Sequence, residues 1–116
     1  DGNGGLFIAD AIKGLLHMAA TGQITTIADS LNGQALKFVD DLDIDDRGRI
    51  YFSDASQRFD YSQVALDFFE GSQTGRLLRF DPATQDIEIL MQCIRLRMKM
   101  MIVWVSKVHV PILVTL

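Results

Sequence analysis

The sequence predicts an all-β fold. Three observations carry that prediction. Short apolar runs bounded by Gly, Asn, Asp or Pro recur along the 116 residues, which is the pattern of strands and tight turns. Only one segment has helical spacing. The chain also repeats itself: Gly4-Gly5-Leu6-Phe7-Ile8-Ala9-Asp10-Ala11 superposes on Gly48-Arg49-Ile50-Tyr51-Phe52-Ser53-Asp54-Ala55, 44 residues further on. Leu15-Leu16-His17-Met18 likewise matches Leu77-Leu78-Arg79-Phe80. A period of roughly 40–50 residues with four strands per unit is the signature of a β-propeller blade. The chain therefore reads as a partial propeller of about two blades of four-stranded antiparallel sheet.

Taken in order, residues 4–11, 14–19 and 23–28 are expected as three strands, with Thr21-Gly22 turning the second into the third. Residues 29–34, containing Asn32-Gly33, are expected as a loop. Residues 36–44 and 49–54 are two more strands, joined by a turn at Asp46-Arg47-Gly48. Residues 76–80 and 86–91 follow, separated by Asp81-Pro82-Ala83-Thr84, a type I turn with Pro at its second position. Between residues 60 and 70 the apolar Tyr61, Val64, Ala65, Phe68 and Phe69 recur at helical spacing. Asp60 is placed to cap that helix, Gln63 to complete a capping-box-like pair, and Gly71 to end it. The implied organisation is an incomplete propeller over residues 1–92. Within it, 1–28 form a partial blade and 36–91 a full blade with the helical insert at 60–70. Residues 93–116 form a divergent, β-rich tail.

The stretch FVDDLDIDDRGRIYFSDA, residues 38–55, carries most of the chemistry. Strict alternation puts Phe38, Asp40, Leu42 and Ile44 on one face. Asp40 is then a carboxylate on an otherwise apolar face, which requires a cation or hydrogen-bond donors.

Composition sets bounds. The net charge is −4, so a nucleic-acid backbone is not an expected partner. A single cysteine, Cys93, excludes an internal disulfide framework. The chain opens on Asp1 without a signal-peptide pattern, and the missing blades mark it as a piece of something longer.

FVDDLDIDDRGRIYFSDASQRFD followed by LDFFEGSQTGRLLRFDPAT resembles the strictosidine synthase-like family of six-bladed propellers, which includes the adipocyte plasma membrane-associated proteins. That family is related to the gluconolactonase group, and the resemblance covers residues 1 to about 92. It implies a parent that hydrolyses esters or lactones with calcium or a similar divalent ion, acting on a small-molecule ester or lactone. The plant alkaloid synthase itself, which joins an aldehyde and an amine in a Pictet–Spengler reaction, is the other chemistry within the family. A non-catalytic propeller scaffold is the alternative from a different class. In the gluconolactonase group an Asn-Asp pair is followed four residues later by the Asp of a turn. Asp40-Asp41 occupy the pair here and Asp45 the turn position. The resemblance thus carries a metal-ligand role to Asp40, with Asp41 beside it, and Asp in place of Asn adds a charge. Acceptance of backbone N–H groups by Asp40 is the competing structural reading. No catalytic residue or general base can be named within the chain, and the chain alone is expected to show no turnover.

Other candidates are weaker. Asp43, Asp45, Gly48, Ile50 and Asp54 match EF-hand spacing, but Arg47 takes a ligand position and both flanks are strands. Asp43 to Asp46 reads better as a solvated turn. His17 and His109 have no carboxylate or Cys at ligand spacing, and Ser53-Asp54-Ala55-Ser56 lacks the context of a nucleophile motif. In the tail, Ile94-Arg95 and Trp104-Val105 faintly echo a later blade of the family. Met100 to Leu116 is apolar but shorter than a membrane span and interrupted by Lys107, His109 and Pro111. No membrane span is expected.

Overall fold

The computed structural model describes residues 1–71 and 73–94. Within them, nine strands and one short helix are built in the order the repeat dictates. Strands β1 (Leu6–Asp10), β2 (Gly14–Met18) and β3 (Ile24–Ala28) form a three-stranded antiparallel sheet. Strands β4 (Ser30–Leu31) and β5 (Gln34–Ala35) form a small hairpin. Strands β6 (Val39–Ile44), β7 (Ile50–Asp54), β8 (Gly75–Asp81) and β9 (Asp86–Ile94) form a four-stranded antiparallel sheet in sequence order. The hairpin stands where a loop was expected. Asn32 and Gly33 both take positive φ, the conformation a two-residue hairpin turn demands.

The internal repeat is reproduced pair by pair. Phe7 faces His17 in the first sheet as Tyr51 faces Arg79 in the second. Ile8–Leu16 corresponds to Phe52–Leu78, Ala9–Leu15 to Ser53–Leu77, and Asp10–Gly14 to Asp54–Arg76. The turns that feed β1 and β7 also match. Asp1 Oδ1 accepts from the amides of Asn3 and Gly5 at 2.7 and 2.8 Å. Asp45 Oδ1 accepts from those of Arg47 and Arg49 at 2.9 and 3.0 Å. Gly4 and Gly48, one residue before the close of each turn, both have positive φ.

The two sheets share one core of Leu15, Ala28, Leu36, Val39, Ile50, Phe52, Leu78 and Phe80. The first sheet contributes the face that carries Leu15 and Ala9. The second contributes the face of Phe52 and Leu78, whose counterparts Ile8 and Leu16 point away from this core. Equivalent residues thus use opposite faces, so the sheets stack in the same sense, as successive propeller blades do. Burying Phe52, Leu78 and Ile50 completely stabilises this junction by roughly 1.5–3 kcal/mol per side chain.

The insert between β7 and β8 begins with a 3₁₀ turn, Tyr61–Gln63, and continues as α1 (Val64–Glu70). Asp60 caps the 3₁₀ turn by accepting from the Ser62 amide, and Gly71 ends α1 in the left-handed conformation. Gln63 makes no capping hydrogen bond, so the capping-box expectation fails. The inward face also differs from the expected one. Tyr61 and Phe69 are exposed, whereas Asp67 is buried. The helix is too short for apolar spacing to decide its orientation; a polar latch through Asp67 does. Strand β9 runs three residues beyond its expected end. Arg95, Trp104, His109 and the Met100–Leu116 run lie outside the described residues.

Candidate functional site

The head of β6, the end of β7 and the start of β8 lie at one end of the second sheet, and the insert leaves from that end. The register of β6 on β7 shifts here. Val39 faces Asp54 and Leu42 faces Phe52, so Asp40 and Asp41 together oppose Ser53. This is a β-bulge, an extra residue that breaks alternation and bends the strand. Val39, Leu42 and Ile44 therefore share the core face, and Asp40 turns outward to solvent. The expected placement of Asp40 on the apolar face is corrected by that single extra residue.

The bulge is held from β7. Ser53 Oγ accepts from the Asp41 amide at 3.2 Å, and Asp41 Oδ1 accepts from the Leu42 amide at 2.9 Å. No hydrogen bond to the Asp40 carboxylate is formed among the described residues, so the competing structural reading, in which it accepts backbone N–H groups, has no support there. The protein displaces enough water around Asp40 to hold its carboxyl above the ordinary value, and the Asp41 charge adds to this. An accessible carboxylate of raised pKa beside a second one gains from a cation.

Immediately below the bulge sits an ion pair that pattern reading did not single out. Asp54 Oδ2 accepts from Arg76 Nη2 at 2.6 Å and from Nε at 3.2 Å, and both residues are buried. Asp54 Oδ1 accepts from the amides of Lys37 and Phe38 at 3.2 and 2.9 Å, and the Ala55 amide donates to Phe38 O at 2.7 Å. In the first sheet the equivalent Asp10 sits on a short hairpin and accepts from the turn amides of Ile12 and Lys13 instead. Gly14 stands there in place of Arg76. That departure from the repeat, Gly against Arg, was the available signal.

The insert is tied down beside this pair. Ser56 Oγ accepts from the amides of Arg58 and Phe59 at 3.2 and 3.0 Å. Gln57 closes the base of the insert on Thr74 through Nε2 to the carbonyl at 2.6 Å. Burial raises the Asp67 carboxyl; a hydrogen bond with Ser56 opposes this, Glu70 adds to it and Arg58 counters it. Ser56 thus accepts from the insert's amides and hydrogen-bonds the Asp67 carboxylate of the same insert.

Asp45 is the anchor of the β6–β7 turn. Beyond its two backbone bonds it accepts at Oδ2 from Arg49 Nε at 2.7 Å and Tyr51 Oη at 3.2 Å. Partial desolvation pushes its carboxyl up, but the bonds from Arg49, Arg47 and Tyr51 outweigh it and hold the pKa below the ordinary value. These commitments leave it unlike an EF-hand ligand, and also make the turn more than a solvated one. His17 Nε2 meets Asp1 Oδ2 at 2.8 Å and its ring lies 4.9 Å from that of Phe7. The fold thus supplies His17 with a carboxylate that sequence spacing did not.

Among the described residues no group of three or more His, Cys, Asp or Glu side chains could hold a metal ion. Asp40 and Asp41 fit calcium in kind, as hard oxygen ligands, but supply only part of the six to eight oxygens such an ion takes. No helix among the described residues is long and apolar enough to cross a membrane.

The profile of the strictosidine synthase family matches residues 40–98. Protein strictosidine synthase-like 13 of Arabidopsis thaliana is 42% identical over 90 residues, covering 77% of this chain and 22% of that protein. Protein strictosidine synthase-like 4 of the same plant is 37% identical over 91 residues, 78% of this chain and 25% of that protein. The human adipocyte plasma membrane-associated protein is 35% identical over 98 residues, 80% of this chain and 24% of that protein. The chain spans about a quarter of the length of these relatives.

Proposed function

The chain belongs to the strictosidine synthase family, and from that premise we propose that it contributes one ligand-bearing blade to a divalent-cation site of an ester- or lactone-hydrolysing propeller. Asp40 is the ligand, and Asp41 stands beside it. The single observation that supports this reading is the bulge, which turns two adjacent carboxylates out of the sheet at the head of β6. A bound divalent cation such as calcium supplies polarisation of an ester carbonyl and activation of water. The chain's own residues hold the two carboxylates apart from the core, fix the β6 head through Ser53 and Asp54, and place the insert alongside.

Two carboxylates are too few for a complete site, so the 116-residue chain alone has no turnover. The test is hydrolysis of phenyl acetate and a γ-lactone by a closed propeller that contains this blade, with and without a chelator. Calcium-dependent turnover lost in Asp40→Ala is the expected result. Turnover indifferent to both chelator and Asp40→Ala would exclude the metal role. A closed propeller with no turnover on either substrate would favour a binding scaffold.

A further inference from the structure

We propose that Ser53 is a positioning residue for the Asp40–Asp41 pair, pinning the extra residue of the bulge so that the two carboxylates are presented as a fixed unit. This rests on the reading of Asp40 as a ligand.

A bulge leaves one residue outside the ladder, and its amide needs an acceptor that the partner strand's carbonyls do not supply. Ser53 provides it at 3.2 Å. Ser53 is 1% exposed, so water does not compete for that bond from its side. The neighbouring positions complete the grip. Asp54 takes the amides of Lys37 and Phe38, and the Ala55 amide takes the Phe38 carbonyl. Three consecutive residues of β7 and its end thus fix the chain entering β6 on both sides of Asp40. The Asp40 carboxylate itself remains directed to solvent.

The internal repeat separates this role from strand packing. The position equivalent to Ser53 in the first sheet is Ala9, paired with Leu15 as Ser53 is with Leu77. A strand of this architecture therefore accepts a methyl group there. The hydroxyl is an addition of the second sheet, and it accepts from the amide of the bulge.

The experiment uses the complete chain and terbium(III) as the probe, read by luminescence, on the wild type, Ser53→Ala, Ser53→Thr and Asp40→Ala. Because Ala9 occupies the equivalent site, Ser53→Ala is expected to fold, with a melting temperature within a few degrees of the wild type. Its terbium affinity should fall about tenfold or more, and Ser53→Thr, which keeps the hydroxyl, should restore it. Wild-type affinity in Ser53→Ala overturns the positioning role while leaving Asp40 as a ligand. Terbium bound equally well in Asp40→Ala defeats the ligand reading instead, and a wild type that binds none shows only that two carboxylates are too few to hold the ion. In either case hydrogen exchange at the Asp41 amide decides. Several-fold faster exchange in Ser53→Ala, with β8–β9 amides unchanged, supports the pin, and equal exchange overturns it.

Discussion

Asp54 and Arg76 face each other across β7 and β8 with 2.6 Å between Oδ2 and Nη2, sealed from solvent on both sides. The same register position in the first sheet pairs Asp10 with Gly14. The ion pair therefore marks what the second sheet adds to the common blade: a buried charge that must be matched. Removing one partner strands the other. Asp54→Ala is expected to destabilise the fold by about 3–5 kcal/mol, read by urea denaturation. The double variant Asp54→Ala/Arg76→Met, which leaves no unpaired charge, should recover a large part of that loss. A single variant that costs under about 1 kcal/mol would mean that water reaches the pair.

Much of the architecture was legible because the repeat is legible. Gly4–Ala11 against Gly48–Ala55 predicts equivalent strands, and the registers Phe7–His17 and Tyr51–Arg79 realise that equivalence residue for residue. The site was less legible, for a physical reason. Alternation assumes two residues per repeat, and one extra residue at Asp40-Asp41 reverses the face of everything before it. The Asn32-Gly33 dipeptide signals a turn, but two-residue strands leave no alternation to detect, so the pattern alone predicts a loop where the fold builds a hairpin. Asp67 was hidden because burial of a carboxylate on a short helix contradicts apolar spacing; only the fold brings Ser56 to it.

Gly14 should not tolerate a side chain. Its φ is +92, and a Cβ there would lie 2.1 Å from the Ala28 carbonyl oxygen. Gly14→Ala is expected to cost about 2 kcal/mol or more by thermal unfolding. The equivalent β8 position carries Arg76, so the requirement arises from the close approach of β3 and not from the blade pattern.

The turn carboxylate Asp45 collects four donors, two of them from Arg49. Asp45→Ala is expected to destabilise the second sheet by about 2 kcal/mol, measured by denaturant titration. It should leave terbium binding unchanged, because its oxygens are already committed. Loss of terbium binding in this variant would revive a calcium-loop reading of residues 43–54.

Stability should depend on pH in two opposed windows. Asp40 and Asp67 have carboxyls raised above the ordinary 3.8. The folded state therefore binds protons before the unfolded chain does, and stability rises as pH falls through their raised values. Asp45 and Asp10 lie below 3.8; their contribution is present above that value and is lost as pH falls through the depressed ones. The four groups together place maximum stability near the ordinary carboxylate value. Urea midpoints of wild type and variants, compared across the acidic range, read each arm by difference. Asp67→Asn should flatten the arm above the ordinary carboxylate value, and Asp45→Asn the arm below. An unchanged upper arm in Asp67→Asn would show that the insert opens to water in solution.

Asp40 itself offers the sharpest contrast between structural and ligand roles. A carboxylate that anchors backbone amides loses about 1 kcal/mol when neutralised. A carboxylate held near a like charge, with its pKa raised by desolvation and by Asp41, gains stability when the charge is removed. Asp40→Asn is therefore expected to leave the melting temperature at neutral pH unchanged or slightly higher. The same change should weaken terbium binding severalfold, because an amide oxygen is a neutral donor to a trivalent ion. The opposite signs matter more than either magnitude: stability that holds while affinity falls is what a residue retained for a cation must show. A fall in melting temperature with unchanged affinity would assign Asp40 to the fold alone.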